Sequence, residues 1–293
     1  MKRLTGLLLG SVFLFGGLSV VAAQDNSEGA MPPPKVLVIY REFLKPGRAG
    51  TVHEKSERAF VDAFAKAKWP THYIAADSQS GKPRSLFLLG YDSFDAWEKD
   101  NKAIAKNTAL SATFDRASMT DGDLQSDADA GIFKFSDEYS LRSSVDIAHM
   151  RYFEISQYQI RPGHHKDWDD ALKLVKEAYD KVPGAHWATY EKTFGSGSTY
   201  LVFIPLKSAS EIDQESDQHK QFIAALGEDG MAKLRELEAS GIESIQTNLF
   251  AFNPRMSYPR DEWLKADPDF WKSKAGMAGP MHKKSAEKAP AAQ

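Results

Sequence analysis

The sequence predicts an α+β fold made of two tandem β-α-β-β-α-β units, and three observations carry that expectation. The first is a repeat. Lys45-Pro46-Gly47, His72-Tyr73, an apolar run over 86–91 and the segment 132–135 are answered by Arg161-Pro162-Gly163, His186-Trp187, the run 200–206 and the segment 249–252. The glycine-to-histidine spacing is 25 residues in one copy and 23 in the other, and the glycine-to-closing Phe-x-Phe spacing is 86 and 87. A period of about one hundred residues is a domain duplication, not a solenoid. The second observation is that the apolar period changes from strand-like to helix-like and back at the same places in both copies. The third is that Pro and Gly breakers recur at matching positions.

The elements follow in order. Residues 36–40 are β-branched and aromatic and read as a strand. Thr51-Val52-His53-Glu54 matches a capping box, in which Thr and Glu satisfy free amides at a helix start. Val52, Ala59, Phe60, Ala63, Phe64 and Ala67 then form one helix face, which Trp69-Pro70 ends. Strands over 72–77 and 85–91 meet through Ser80-Gly81-Lys82-Pro83, and a helix follows over about 93–107. In the second copy, 152–160 is a strand, and Trp168, Leu172, Val175, Tyr179 and Val182 define a helix face broken by Pro183-Gly184. Strands 186–194 and 199–206 flank Gly195-Ser196-Gly197, and Ser208-Ala209-Ser210-Glu211 is a second capping box. Helices run to about 240, and 245–253 is the last strand. The repeats thus occupy 36–140 and 150–255, with 136–149 connecting them; each follows the ferredoxin-like split βαβ order, a sheet with helices on one face.

The segment 111–130 is rich in Asp, Ser and Thr. Asp121, Asp123, Asp127 and Asp129 read as a solvated acidic loop, because they lack the EF-hand spacing and its closing Glu. No metal site and no cofactor is expected. The chain has no Cys, which excludes thiolate zinc sites, iron–sulfur clusters and thiol nucleophiles.

Residues 1–23 read as a secretory signal peptide: Lys2-Arg3, an apolar run over 4–21, and small residues Ala22-Ala23 before Gln24. The expected location is the periplasm or the medium, with no membrane attachment after cleavage. Removing Lys2 and Arg3 takes the formal charge from -3 to -5, which argues against nucleic acid as a partner. Residues 24–35, ending in Pro32-Pro33-Pro34, read as an extended linker with little packing. Residues 256–293 read as an arm carrying Trp263, Phe270 and Trp271, then a disordered tail.

A ferredoxin-like unit leaves one sheet face bare, and a tethered second copy can cover it. At this point the chain resembles the dimeric α/β-barrel superfamily, which includes antibiotic-biosynthesis-type monooxygenases and NIPSNAP-like proteins. The likeness rests on residues 40–48, Tyr-Arg-Glu-Phe-Leu-Lys-Pro-Gly-Arg, and 158–163, Tyr-Gln-Ile-Arg-Pro-Gly: a strand, a basic-Pro-Gly turn and an amphipathic helix. It implies a pseudo-dimeric α/β barrel in one chain, acting as a monomer or homodimer.

Alternation along the first strand of each repeat then proposes a pocket. Leu37 and Ile39, matched by Phe153 and Ile155, are expected on the helix-covered face. Tyr40 and Glu42, matched by Ser156 and Tyr158, are expected to face the shared interior with Glu154. His72 and His186 take equivalent strand-start positions, and Ala76 is matched by Tyr190. The candidate pocket is therefore His72, His186, Tyr40, Glu42, Glu154, Tyr158 and Tyr190. No acid, base and nucleophile form a recognisable set, so the expected function is binding of a small, partly apolar molecule. The resemblance implies two alternatives, a cofactor-independent monooxygenase or a haem protein using one of the histidines.

Overall fold

The computed structural model describes residues 29–272. The segment read as a signal peptide, residues 1–23, and the segment from 273 read as a tail lie outside the described residues. Eight antiparallel strands close into a barrel in the order β1-β3-β2-β8-β5-β7-β6-β4. They are β1 (Val36–Leu44), β2 (Tyr73–Ser78), β3 (Arg84–Tyr91), β4 (Gln125–Leu141), β5 (Tyr152–Ile160), β6 (Trp187–Lys192), β7 (Ser198–Leu206) and β8 (Ile242–Phe252). Each repeat contributes a four-stranded sheet, β4-β1-β3-β2 and β8-β5-β7-β6. The two sheets join reciprocally, β2 with β8 and β4 with β6. The second strand of each half thus pairs with the last strand of the other, as a twofold relation between repeats requires. The architecture is the pseudo-dimeric α/β barrel.

Helices lie outside the barrel. The first repeat carries α1 (Thr51–Ala67), α2 (Phe94–Lys106) and α3 (Thr108–Gly122). The second carries α4 (His165–Tyr179) and α5 (Glu215–Gly241), the latter broken at Gly227. Two short helices, α6 (Asp261–Ala266) and α7 (Pro268–Trp271), form the C-terminal arm. The repeated Pro-Gly turn has a backbone reason: Gly47 and Gly163 have φ of 76° and 85°, a region that side chains with a Cβ avoid. Among the described residues no helix is long and apolar enough to cross a membrane.

Three sequence expectations are corrected. The sheet faces are inverted. Leu37, Ile39, Phe153 and Ile155 form one buried cluster with Ile74, Leu88, Phe133, Leu201, Phe203 and Phe250, drawn from both repeats, and this cluster is the barrel interior. An eight-stranded barrel is just wide enough to be filled by side chains, and large apolar ones fill it. The opposite face packs on helices: Val36 and Val38 meet Phe94 and Trp97 of α2, and Tyr158, Tyr200 and Val202 meet Trp168, Leu172 and Val175 of α4. Both faces of β1 are apolar near its start, so alternation could not tell inside from outside.

The acidic segment is not a loop. It is α3 followed by the first residues of β4; Asp121 is buried, while Asp123, Asp127 and Asp129 are exposed as expected. The capping box at Thr51 does not form, because α1 starts after Gly50 without a side-chain cap. Glu54 instead accepts from Asn253 Nδ2 at 3.2 Å and Arg255 at 2.8 Å.

The face assignment can be tested by substitution. Ile39→Gln places an unpartnered amide in the barrel interior and should lower unfolding free energy by about 2–4 kcal/mol, whereas Tyr40→Gln on the outer face should cost under about 1 kcal/mol. Urea denaturation of the two variants reads the difference; the reverse order would return Ile39 to the helix-covered side.

Candidate functional site

At one end of the barrel the starts of β1, β2, β5 and β6 meet the ends of β3 and β7. Three segments cross this mouth. Met31 pairs with Val145 through backbone bonds of 3.0 and 3.2 Å, which lays Pro32–Pro34 over the opening. The proline segment therefore packs, contrary to its reading as a free linker. Tyr258 pairs with Tyr73 through bonds of 3.0 and 3.1 Å and leads into the arm. Trp271 is buried against Trp263 and Phe252, and its indole N–H donates to the Ala148 carbonyl at 2.9 Å. Beneath these segments lies a cavity of about 320 Å³. Its walls are mainly apolar, with Leu37, Ile74, Leu88, Phe153 and Phe203 among them.

Three of the seven predicted site residues line this cavity: His72, His186 and Tyr190. His72 directly precedes β2, stacks on the Tyr258 ring at 4.6 Å and 18°, and has a buried Nδ1 without a hydrogen-bond partner. His186 is buried, with Nδ1 2.9 Å from the Gly184 carbonyl and Nε2 3.2 Å from the Pro205 carbonyl. Burial lowers its pKa, and the two carbonyls only partly offset that. Both ring nitrogens face backbone oxygens, so neither is offered to an iron. Tyr190 projects into the barrel between Phe135 and Phe203, and burial raises its phenol pKa.

The other four lie on the outer face, a consequence of the inverted sheet. Tyr40 is 44% exposed. Glu154 stands on β5 opposite Ile204 and Leu249. Tyr158 is buried under α4 against Trp168, 5.1 Å between ring centroids. Glu42 lies under α1, its Oε2 2.8 Å from His53 Nε2. Around that pair stand Glu57 and Asp121, both buried. Burial and the charges of Glu42 and Asp121 push the Glu57 carboxyl up to about 10. Burial likewise raises Glu42 and pulls His53 down, but the bond to Glu42 and the charge of Asp121 outweigh it, so the His53 pKa is raised.

Sequence reasoning missed His53, Glu57 and Asp121. A usable signal existed: His53 and Glu57 are four residues apart and share one helix face. Asp121 had none, because only tertiary packing buries it.

The opposite mouth is polar. A cavity of about 600 Å³ there is lined by Arg41, Lys82, Arg84, Lys192, Gln157 and Asn248, among others. Arg41 is paired with Asp129 at 2.5 Å, and Arg84 lies over the Phe250 ring at 4.8 Å.

No protein-family model and no curated protein matches this chain. Several solved structures share its general backbone course. A proposed monooxygenase of Fusobacterium nucleatum aligns with TM-score 0.49 and 11% identity over 76% of this chain and 94% of its own. A proposed monooxygenase of Lactobacillus acidophilus gives 0.46 and 8% over 74% and 94%. A mutant chlorite dismutase of Candidatus Nitrospira defluvii gives 0.45 and 10% over 82% and 98%. At this level of likeness nothing about chemistry transfers; the barrel assignment rests on the strand order and on the two reciprocal joins.

The lowered pKa of His186 makes stability pH-dependent. The unfolded chain binds a proton near 6.5, while the folded chain resists it to lower pH. The stabilisation is therefore complete above about 6.5 and declines as pH falls toward the folded value. The unfolding free energy of the parent minus that of His186→Asn should be larger at pH 7.5 than at pH 5; equal differences would remove His186 as the source.

Proposed function

We propose that this is an exported binding protein that holds a small, mostly apolar molecule carrying a hydrogen-bonding group in the arm-covered mouth of the barrel. The observation that carries this reading is an apolar cavity of about 320 Å³ whose lining includes the polar side chains of His72 and Tyr190. Ligand sites combine mainly apolar walls with a few placed polar groups and span roughly 300–1,000 Å³, so a volume at the low end selects a small molecule. The Tyr190 phenol and His72 imidazole supply the polar contacts. Because the barrel closes within one chain, the site needs no second copy.

Export is supported by the basic start, the apolar run and the small residues before Gln24. A cofactor-independent oxygenase is the second reading. It is favoured by His72, an imidazole in the lining of a mainly apolar cavity. Haem binding loses support from the commitment of both His186 nitrogens to backbone carbonyls.

Ala188 lines the cavity, so Ala188→Phe should fill it while the barrel stays folded. Parent protein screened against small hydroxylated and carbonyl compounds should show ligand-dependent thermal stabilisation that Ala188→Phe lacks. Oxygen uptake with a bound compound would favour the oxygenase reading. Stabilisation that Ala188→Phe retains would move the site elsewhere. N-terminal sequencing of the exported fraction should begin at Gln24, and an intact N-terminus would contradict cleavage.

A further inference from the structure

Outside that cavity the first repeat holds a second chemical centre. Four side chains from three elements turn into one buried space: Glu42 of β1, His53 and Glu57 of α1, and Asp121 at the end of α3. Their ligating atoms all lie within 4.8 Å of one another. His53 Nε2 is 2.8 Å from Glu42 Oε2, 3.5 Å from Asp121 Oδ1 and 3.8 Å from Glu57 Oε1.

Two carboxylate oxygens in this space have no hydrogen-bond partner, Glu57 Oε1 and Asp121 Oδ1. Their residues are 3% and 1% exposed, so water does not solvate them freely. Burying a carboxylate oxygen unpartnered is costly unless a proton or a cation answers it. Three carboxyls here face a single imidazole. The nearby guanidinium of Arg255 does not make up the deficit, because it is paired with Glu54 at 2.8 Å.

The surroundings orient the four groups. Gln125 donates to the other oxygen of Asp121, which leaves Oδ1 turned inward. His53 Nδ1 lies 3.3 Å from Ser85 Oγ, and Ser85 donates to Asp77 Oδ1 at 2.5 Å. Asp77 is held on its other oxygen by Asn253 Nδ2 at 2.7 Å. Since the Ser85 proton goes to Asp77, Ser85 accepts from His53 Nδ1–H. That bond would keep the proton on Nδ1 when a cation displaces the one Nε2 shares with Glu42, leaving Nε2 as the ligand atom; metal-bound histidines are oriented in the same way through their other ring nitrogen.

In the second repeat the space next to the equivalent strand position is filled by rings. Tyr158, the counterpart of Glu42 through the Pro-Gly alignment, packs on Trp168, which packs on Tyr200 at 4.9 Å. One repeat fills the gap under its helix with rings; the other lines it with ionisable groups.

We propose that Glu42, His53, Glu57 and Asp121 bind one first-row divalent cation, Mn²⁺, Fe²⁺ or Zn²⁺, between α1, α3 and the outer face of β1. Three carboxylates and one imidazole suit these ions; an imidazole ligand disfavours Ca²⁺ and Mg²⁺, which take oxygen donors. The cation joins three elements and occupies the position that aromatic packing takes in the second repeat. Glu42 is the most accessible ligand, its side chain 18% exposed, and marks the approach from solvent.

The test uses the full chain, stripped with a chelator and titrated with each cation alone. Isothermal titration should give one Mn²⁺, Fe²⁺ or Zn²⁺ per chain, with a rise in Tm of about 5–10 °C at a hundredfold excess over Kd. Ca²⁺ and Mg²⁺ should give much smaller responses. Ser85→Ala should weaken binding by about 10–100-fold through loss of ligand orientation. Glu57→Gln and His53→Gln should abolish the stoichiometric site while far-UV circular dichroism stays that of the parent. Should either variant not fold, pulsed EPR of the Mn²⁺-loaded parent decides instead, through the coupling of one imidazole nitrogen. A parent that binds no cation stoichiometrically, binding unmoved by both folded variants, or an EPR spectrum without that nitrogen would overturn the proposal and leave a shared proton between Glu57 and Asp121.

Discussion

Closure of the sheet is the constraint on which the rest of this structure depends. Each repeat alone would leave two sheet edges unpaired and one face bare. Both needs are met by the same two joins, β2 with β8 and β4 with β6. The joins close the sheet on itself, and the barrel lumen becomes a shared core. Residues from both repeats meet there, Ile39 and Leu88 with Ile155 and Phe203, so neither half is completed without the other.

Closure also distributes polarity. Large apolar side chains fill the middle of the lumen, a cavity lies at each end, and the two ends differ. One is crossed by prolines and by the tryptophans of the arm, and its cavity is apolar with a few nitrogen and hydroxyl groups. The other has no such cover among the described residues and carries arginines, lysines and amides. The repeats bring the same ends of their strands to the same mouth, so the two mouths are lined by different residues, and both the proline stretch and the arm reach the apolar one.

The repeats share a fold but have diverged under their helices. In the second, Trp168, Tyr179 and Phe222 pack between helix and sheet. In the first, His53, Glu57 and Asp121 occupy the equivalent layer, supported by a chain of polar contacts through Ser85 and Asp77 to Asn253. A buried polar network is tolerable only when each member is satisfied, and this one has two oxygens that protein donors leave unmet.

The sequence by itself determined the duplication, the element order and the pairing of apolar faces, because periodicity and breakers are local properties of the chain. It also singled out His72, His186 and Tyr190, whose equivalent or matched positions put them at one barrel end. Tertiary structure alone decided which face of each strand is interior, since β1 is apolar on both sides near its start and alternation carries no sign. That reversal moved Tyr40, Glu42, Glu154 and Tyr158 out of the expected pocket. Only packing joined Asp121 to His53, 68 positions away in the chain, and turned a segment that reads as solvated acid into the wall of a buried site. A carboxylate's surroundings are set by what folds over it, and that information is not local.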